Sequence, residues 1–498
     1  MNGAKVITPF FLTMALILLV AGCNFSEDCS LLTEATEEQV LDCVTVDQVI
    51  DHLQALQTIA EENGGHRAAG TNGYDASLSY VANTLEEAGY EVELDEFEFS
   101  YLPPTVLKRI EPEEKTYESG IVLGSGSGTV SGPVFPLQLT LDEGPRPDDD
   151  SAACEASDFE GLDLSGASDI VLFDEGGCML AKKVLNAQQA GAEAAILLVR
   201  DFPIYAQGNA IADATKMMDG SPANLTIPIV VTNAINGPDL ARDGTAVLVE
   251  ALSRRLSTEY NLLAELPGAQ DGQVVMAGAH LDSVRSAPGI NDNGTSSAAL
   301  LETAVQMAGL KPKHTVRFAW WGAEEYGLVG SLAYVNDLSE EELANIGLYL
   351  NFDMIASPNH YYAIYDADDS DHVAAGPFPK GSAAIETLFQ SYYSARDIPY
   401  YGVDPDGRSD YQSFLIKDIP VGGIFTGAES KKSVKQAEIF GGTALEPFDP
   451  CYHLPCDNTE NINREVLDIN VDAVVYSIYY YAMNNLTSSG EKVSRGSK

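Results

Sequence analysis

Residues 277–302 read AGAHLDSVRSAPGINDNGTSSAALLE, and they place one histidine and two aspartates among small and apolar residues. His280 and Asp282 end an apolar run typical of a buried strand, and Asp292 stands in an NDNG turn before a helical pattern. Strands that alternate with helices favour an α/β domain with a largely parallel sheet. Ligands of such sheets bind at the carboxyl ends of the strands. The stretch therefore predicts both the fold class and the sheet edge that would carry a site.

Three further groups of acidic or histidine residues follow apolar runs. Glu324 and Glu325 follow FAWWGA, Asp353 follows GLYLNF, and His453 stands in CYHLPC. Taken singly, each group fits ordinary turn or helix-cap chemistry. Together they supply imidazoles and carboxylates suited to a pair of divalent cations such as zinc. A two-metal site also needs a bridging carboxylate and an uncoordinated base, and the sequence has one acid more than the ligands require.

The strand and helix pattern is interrupted by a segment of different composition. Helical patterns over 46–65 and 73–90 and an alternating strand over 90–101 precede a stretch rich in Gly, Ser, Pro and Asp. Within that stretch, residues 169–199 predict a strand, a turn, a helix and a strand. We expect a mixed, largely parallel sheet flanked by helices, interrupted by a smaller β-rich α+β domain. The predicted division is a signal peptide at 1–23, the first part of the α/β domain at 24–102, the insert at 103–253, the second part at 254–487 and a disordered tail at 488–498.

The chain is strongly acidic. Its 498 residues contain 28 Lys and Arg against 74 Asp and Glu, a formal net charge of −46. This charge would repel phosphate backbones and anionic lipid headgroups, so we expect no nucleic-acid partner. The acidity itself is typical of a solvated surface.

The N-terminus predicts export. Lys5 precedes an apolar run over 6–22 that is too short and too early for an ordinary membrane-spanning helix. The run ends in LVAGC, which resembles the lipobox of bacterial lipoproteins. That resemblance makes Cys23 the lipidated first residue of a mature chain held at a membrane by its lipid alone, and Asn24 would allow the outer membrane. The anchored protein would face the periplasm or the cell surface. A conventional cleaved signal, giving a secreted protein, is the alternative.

The other six cysteines indicate disulfides. An even number in an exported protein favours three disulfides over a metal cluster, and the sequence has no CxxC motif, although it does not fix the pairing. The cysteines lie in close pairs along the chain: Cys29 and Cys43, Cys154 and Cys178, Cys451 and Cys456.

Six segments, in order, resemble the signature of the exported di-zinc aminopeptidases, a metallopeptidase family that includes aminopeptidase Y and relatives of glutamate carboxypeptidase. They are GAHLDSV, GINDNGTSSAALLE, WWGAEEYGLVGS, NFDM, GRSDYQSF and DPCYHLPCDNTENI. The resemblance covers about residues 50–100 and 256–485. The insert, above all GCMLAKKVLNAQQAGAEAAILL, resembles the protease-associated domain, which in that family either affects access to the cleft or serves as a passive spacer.

The resemblance implies two zinc ions per chain. Asp292 would bridge them, His280 and Asp353 would complete one site, and Glu325 and His453 would complete the other.

The resemblance also implies roles for residues around the ions. Glu324 would be the general base, and Asp282 would orient the imidazole of His280. Tyr452 would donate a hydrogen bond to the developing oxyanion, although simple packing beside the loop from Cys451 to Cys456 is an equally open explanation.

Two residues are expected to contact the substrate. Arg408 lies in the segment that lines the substrate site in the family, and Tyr411 stands where many relatives have His. Phe425 is expected to line an apolar pocket for the first side chain, although an aromatic residue after an apolar run is part of the core by default.

The expected function is therefore hydrolysis of the N-terminal residue of peptides, with preference for an apolar residue. A metallocarboxypeptidase would need cationic groups for the terminal carboxylate, and few arginines lie near the motifs. A glutaminyl cyclase would use a single zinc ion. A receptor-like binding protein on the same fold would have lost its metal ligands, whereas all five are present here.

Overall fold

The structure is a computed structural model, and it describes residues 33–139, 152–200, 210–269, 273–373 and 378–486. The predicted signal peptide, the lipidation site Cys23, Cys29 and the C-terminal tail lie outside these residues.

The first sheet is mixed, with a parallel centre. Its strands are, in spatial order, β1 (Val92–Tyr101), β11 (Arg255–Leu266), β13 (Thr315–Trp321), β12 (Val274–His280), β14 (Ile346–Phe352), β17 (Val421–Phe425), β15 (Ala363–Tyr365) and β16 (Tyr401–Val403). Strands β13, β12, β14 and β17 run parallel to one another, whereas β1, β11 and β13 pair antiparallel. The predicted fold class is confirmed.

Both faces of this sheet are covered because its central strands are apolar on both sides. Trp320 and Ala277 pack in one core, and their chain neighbours Trp321 and Met276 pack in the other. The first core holds α1 (Glu37–Cys43), α2 (Val46–Glu62), α3 (Asn72–Glu87), α6 (Thr295–Met307), α9 (Ser382–Ser394) and α12 (Arg464–Met483). The second holds α7 (Val329–Asp337), α8 (Glu340–Asn345) and α10 (Tyr411–Leu415). Helix α11 (Val434–Phe440) contains no buried residue.

Helix α2 begins where the sequence predicts. Thr45 caps it by accepting a hydrogen bond from the Gln48 backbone, while the Gln48 side chain accepts one from the Thr45 backbone. None of the described helices combines the length and hydropathy that a membrane span requires.

The chain between β1 and β11 forms a second sheet. Its strands are, in spatial order, β3 (Lys115–Tyr117), β2 (Val106–Glu111), β10 (Ala246–Ala251), β5 (Gly128–Pro136), β6 (Ile170–Asp174), β7 (Ala194–Val199), β9 (Ile229–Asn233), β4 (Gly120–Leu123) and β8 (Ala210–Asp213). It carries α4 (Leu180–Ala190) and α5 (Gly237–Leu240) and has its own apolar cores. The chain enters and leaves it through paired neighbours, since Tyr101 of β1 pairs with Arg255 of β11.

Two of the predicted disulfides are present, Cys154–Cys178 in the second sheet's domain and Cys451–Cys456 near the edge of the first sheet. Cys43 is also disulfide-bonded, but Cys29 lies outside the described residues, so the pairing of these two stays a prediction.

Candidate metal centre

The centre lies where three neighbouring strands of the first sheet end. His280 is the last residue of β12, Asp353 directly follows β14, and Glu324 opens a short 3-10 turn after β13. Because β12 pairs in parallel with both β13 and β14, these three carboxyl ends meet at one edge. The side chains therefore converge at the edge that the sequence indicates.

Asp292 lies between two histidines. Its Oδ1 atom is 3.2 Å from His280 Nε2, and its Oδ2 atom is 3.1 Å from His453 Nε2. Asp353 Oδ1 lies 3.4 Å from the same nitrogen of His280, and Glu325 Oε2 lies 3.2 Å from that of His453. One carboxylate thus faces both imidazoles with separate oxygens, as a ligand that bridges two cations must.

Glu324 is the most distant of the carboxylates that surround His280 Nε2. Its Oε2 atom lies 4.0 Å from His280 Nε2, farther than the nearest oxygens of Asp292 and Asp353. Its ligand atom is still within 4.8 Å of those of His280 and Asp353, so proximity alone would also allow it to bind a metal. The distances to His280 Nε2 favour Asp292 and Asp353 over Glu324 as further ligands of a cation bound there.

A disulfide-closed loop holds the turn that carries Asp292. Asp457 accepts hydrogen bonds from the backbone N–H groups of Asn291, at 2.8 Å, and of Asp292, at 3.1 Å. Asp449 accepts one from the Asn291 side-chain amide at 2.6 Å. The Cys451–Cys456 disulfide lies between these two aspartates in the chain. The Asp292 carboxylate is thereby fixed against the loop that carries His453.

A buried arginine holds the segment between His280 and Asp292. The guanidinium of Arg67 donates to the carbonyl oxygens of Leu281, Pro288 and Gly289, the last two at 3.0 and 2.6 Å. Arg67 is fully buried, so these carbonyls replace water around its charge.

Asp282 positions the glutamate pair with its side chain. Its Oδ1 accepts the backbone N–H of Glu324 at 3.0 Å, and its Oδ2 accepts that of Glu325 at 3.4 Å. The same carboxylate is 3.7 Å from His280 Nδ1, whereas the Asp282 carbonyl oxygen is 3.0 Å from that nitrogen. The main-chain and side-chain oxygens of Asp282 thus both face His280 Nδ1, and the expected role of the carboxylate in orienting the imidazole stays a prediction.

The donor set fits divalent cations. Four carboxylates surround two imidazoles in two neighbouring groups. Three buried atoms, Glu325 Oε1, Asp353 Oδ1 and His453 Nε2, form no well-directed hydrogen bond with any described residue, although the last two lie within 3.4 Å of oppositely charged groups. Buried polar atoms are costly unless something binds them, and imidazole with carboxylate suits zinc.

The groups perturb one another strongly. Burial raises the pKa of Glu324 well above its usual value; Glu325 and Asp410 act in the same direction, and His280 opposes them. Although burial favours the neutral ring, Glu325 and the neighbouring carboxylates raise the pKa of His453 to about 11. A bound cation would take the place of such protons.

A cavity of about 230 Å³ opens onto these groups. Tyr452 lines it, with its ring stacked on the imidazole of His453 at a centroid distance of 3.8 Å. Arg408 lines it as well and donates to Tyr452 and Glu429. The apolar part of the lining comprises Met354, Tyr361, Tyr365, Val403, Tyr411, Phe425 and Ala428.

Both residues expected to contact the substrate, Arg408 and Phe425, therefore lie at the cavity. Tyr411 is buried, its ring lies 4.8 Å from that of Tyr365, and its hydroxyl accepts the backbone N–H of Gly407 at 2.7 Å. It serves here as part of the apolar wall.

Sequence reasoning missed the supports of the centre. Besides Arg67, Asp449 and Asp457, it missed Ser409, which donates to Asp353 Oδ2 at 2.6 Å. The available signals were weak: an arginine inside GGHRAAG, and two aspartates that flank the cysteines of DPCYHLPCD.

Comparison with known proteins identifies the family. Residues 261–478 match the model of peptidase family M28, and residues 130–240 match the PA domain. An aminopeptidase from Pseudomonas aeruginosa is 41% identical over 473 residues, which are 92% of this chain and 84% of that protein. The probable lipoprotein aminopeptidase LpqL from Mycobacterium tuberculosis is 41% identical over 451 residues, 89% of this chain and 86% of that protein.

Solved structures share the fold. The zinc aminopeptidase BSAP from Bacillus subtilis aligns with a TM-score of 0.59 at 21% identity, over 88% of this chain and 95% of that one. An aminopeptidase from Aneurinibacillus aligns with a TM-score of 0.54 at 24% identity, over 91% and 98%. The family resemblance and the inserted domain are confirmed, and the chain belongs to peptidase family M28.

Proposed function

We propose that this chain is a zinc aminopeptidase that removes the N-terminal residue from peptides with the help of two metal ions. The observation that supports this most strongly is the position of Asp292, whose two oxygens face His280 and His453 separately. Membership of a peptidase family and relatives named as aminopeptidases agree with it.

The ligands divide into two sets around the shared carboxylate. His280 and Asp353 would hold one zinc ion, Glu325 and His453 the other, and Asp292 both. When bound, the two ions lower the pKa of the attacking water and polarise the scissile carbonyl group.

Glu324 is the proposed general base. It lines the cavity, is 8% exposed, and its backbone is held by the carboxylate of Asp282. It accepts a proton from the attacking water and then donates it to the departing amine.

Tyr452 is the proposed oxyanion donor. Its phenol lines the same cavity and its ring is fixed against His453. A hydrogen bond from its hydroxyl stabilises the carbonyl oxygen as that oxygen gains negative charge.

The free amine of the substrate would pair with the carboxylates of Glu324 and Asp353, which face the cavity. The nearby aromatic side chains of Tyr361, Tyr411 and Phe425 suit an apolar first residue.

The alternatives have less support. Arg408 is the single cationic side chain among the described residues that line the cavity, and it is already bonded to Glu429 and Tyr452, so a terminal carboxylate lacks a free cationic partner. A cyclase that uses a single zinc ion does not need the second set of metal ligands that Glu325 and His453 would provide. A binding protein does not need a base at Glu324.

We also propose that the protein is exported and anchored by a lipid on Cys23, since one relative is named a probable lipoprotein aminopeptidase. The proposed domain limits are those expected from the sequence, with the insert over 103–253. Its role as a cover of the cleft or a passive spacer stays a prediction.

The function is tested with Leu-p-nitroanilide and its N-acetylated form, before and after chelation and return of zinc. Cleavage of the free-amine compound alone, abolished by the chelator and restored by zinc, is expected. Cleavage of neither compound would favour a carboxypeptidase, a cyclase or a binding role. Cleavage that survives complete chelation would contradict the metal requirement.

A further inference from the structure

Arg408 lines the cavity and donates a hydrogen bond to the hydroxyl oxygen of Tyr452. We propose that Arg408 is a positioning residue, which directs the hydroxyl proton of Tyr452 toward the reacting carbonyl oxygen. This inference rests on the proposed function.

The direction of the hydrogen bond is fixed by the chemistry of the two groups. Arg408 Nη2 lies 3.0 Å from the hydroxyl oxygen of Tyr452. A guanidinium donates and never accepts, so the Tyr452 oxygen must be the acceptor. The hydroxyl proton of Tyr452 is therefore left for another acceptor.

No other group among the described residues takes that proton. The Tyr452 hydroxyl makes no further hydrogen bond there, and the phenol lines the cavity beside the metal centre. The ring stacks on His453 with an interplanar angle of 22°, which limits its movement. The carbonyl oxygen of a bound substrate is the acceptor that remains.

Glu429 holds the guanidinium in place. It accepts from Arg408 Nη1 at 2.8 Å, so the two arms of the fork reach different partners. Both side chains are about half exposed, and an unpaired arginine at such a surface would sample many rotamers. Glu429 thus fixes the guanidinium of Arg408, and Arg408 in turn fixes the direction in which the hydroxyl proton of Tyr452 points.

A double-mutant cycle tests the proposal. Tyr452→Phe should lower kcat on the order of 10²-fold, as loss of an oxyanion donor does. Arg408→Gln should lower kcat about tenfold with KM nearly unchanged, since it removes a charged hydrogen-bond donor. In the Tyr452→Phe background, Arg408→Gln should change kcat by less than about twofold.

A binding measurement gives a readout without turnover. Calorimetry should show that Arg408→Gln weakens binding of a leucine analogue with a phosphonic acid, which mimics the tetrahedral oxyanion, about tenfold. Binding of leucine itself should be unchanged. Arg408→Lys should restore part of the loss, because lysine is also a donor.

The matched control is Arg396→Gln. Arg396 also lies over a tyrosine, with its guanidinium carbon 3.7 Å from the centroid of the Tyr392 ring, but it is absent from the cavity lining. It should leave kcat and analogue binding unchanged. Circular dichroism and zinc content establish that each variant is folded; if Arg408→Gln is not, Arg408→Lys and Glu429→Gln complete the cycle.

Two results would overturn the proposal while leaving the proposed function intact. Additive losses in the double variant would show that Arg408 acts independently of Tyr452, and a rise in KM with kcat unchanged would show that Arg408 binds the substrate directly. A wild-type chain without zinc-dependent hydrolysis would instead remove the proposed function, and this inference with it.

Discussion

The inserted domain and the metal centre each contain a cluster of charged side chains, but only the cluster in the insert supplies every partner that its central acid needs. In the insert, Asp239 accepts from Lys115 and Tyr117, both at 2.7 Å, and pairs with Arg109 and Arg242. One acid there faces three cations. At the metal centre, four carboxylates face two imidazoles.

The difference separates a structural cluster from a functional one. The chain itself satisfies Asp239, whose pKa lies well below its usual range because Lys115 and Tyr117 donate to it. The centre keeps buried carboxylates side by side with atoms unsatisfied, which is costly unless a cation binds there. Uncompensated charge therefore marks the site.

The largest effect is expected from Glu324, the proposed general base. Glu324→Gln should lower kcat/KM on the order of 10³-fold, because it removes the proton acceptor and keeps the size of the side chain. Zinc content should stay unchanged, as measured by elemental analysis. Glu341→Gln, at an exposed position of α8, is the control and should retain full activity. Full activity of Glu324→Gln would place the base elsewhere.

Removal of the His453 imidazole should prevent one of the two proposed zinc ions from binding. His453→Ala should lower the zinc content from two ions to one per chain and lower activity about 10²-fold or more, since the second ion loses one of its ligands. His372→Ala is the control, since its side chain is 87% exposed in a loop away from the cavity. Two tightly bound ions in His453→Ala would show that this residue is not a ligand.

Loss of Asp457, which holds the turn that carries Asp292, should have a smaller effect. Asp457→Asn replaces one of two acceptors for the backbone of Asn291 and Asp292 with a donor. Zinc affinity should fall about 10- to 100-fold, as is typical when a partner of a metal ligand is lost. Competition with a chromogenic chelator measures it, and an unchanged affinity would show that the turn is held without this carboxylate.

The smallest effect on activity is expected from a substitution in the cluster around Asp239. Asp239→Asn should leave kcat/KM unchanged while lowering the free energy of unfolding of the insert by about 1–3 kcal/mol, since Arg109 is left buried with fewer partners. Because the pKa of Asp239 is lowered in the folded state, its stabilisation is present above the unfolded value of about 4 and is lost as the pH falls below it. Asp239→Asn should remove this acid dependence.

Two probes separate the domains in that experiment. Both tryptophans of the chain, Trp320 and Trp321, are buried in β13, so their fluorescence follows the first sheet alone. Hydrogen exchange of amides in β2 to β10 follows the insert. A shift in the tryptophan transition at unchanged exchange in the insert would contradict a local role for Asp239.

The strand ends could be predicted from the sequence, whereas their supports could not. His280, Asp353 and the glutamate pair each follow an apolar run, and parallel strands bring such positions together. Arg67 contacts Gly289 across 222 positions of sequence, and Asp457 contacts Asn291 across 166. No local periodicity encodes such contacts.

The fold shows the same division. Long apolar strands and the helix over 46–62 could be predicted, because burial imposes a period on them. Strands β15 and β16 have three residues each, too few to show any period; β15 forms on the edge that β17 offers, and β16 forms on the edge of β15. The strand order of the insert also depends on pairings between distant segments.

The most direct test is the zinc stoichiometry of the wild-type chain and of Asp292→Ala, measured by native mass spectrometry after chelation and return of zinc. Two ions per wild-type chain, with tight binding of both lost in Asp292→Ala, are expected for a carboxylate that bridges two sites. A wild-type chain that binds one ion or none, or an Asp292→Ala chain that keeps both, would contradict the bridged two-zinc centre.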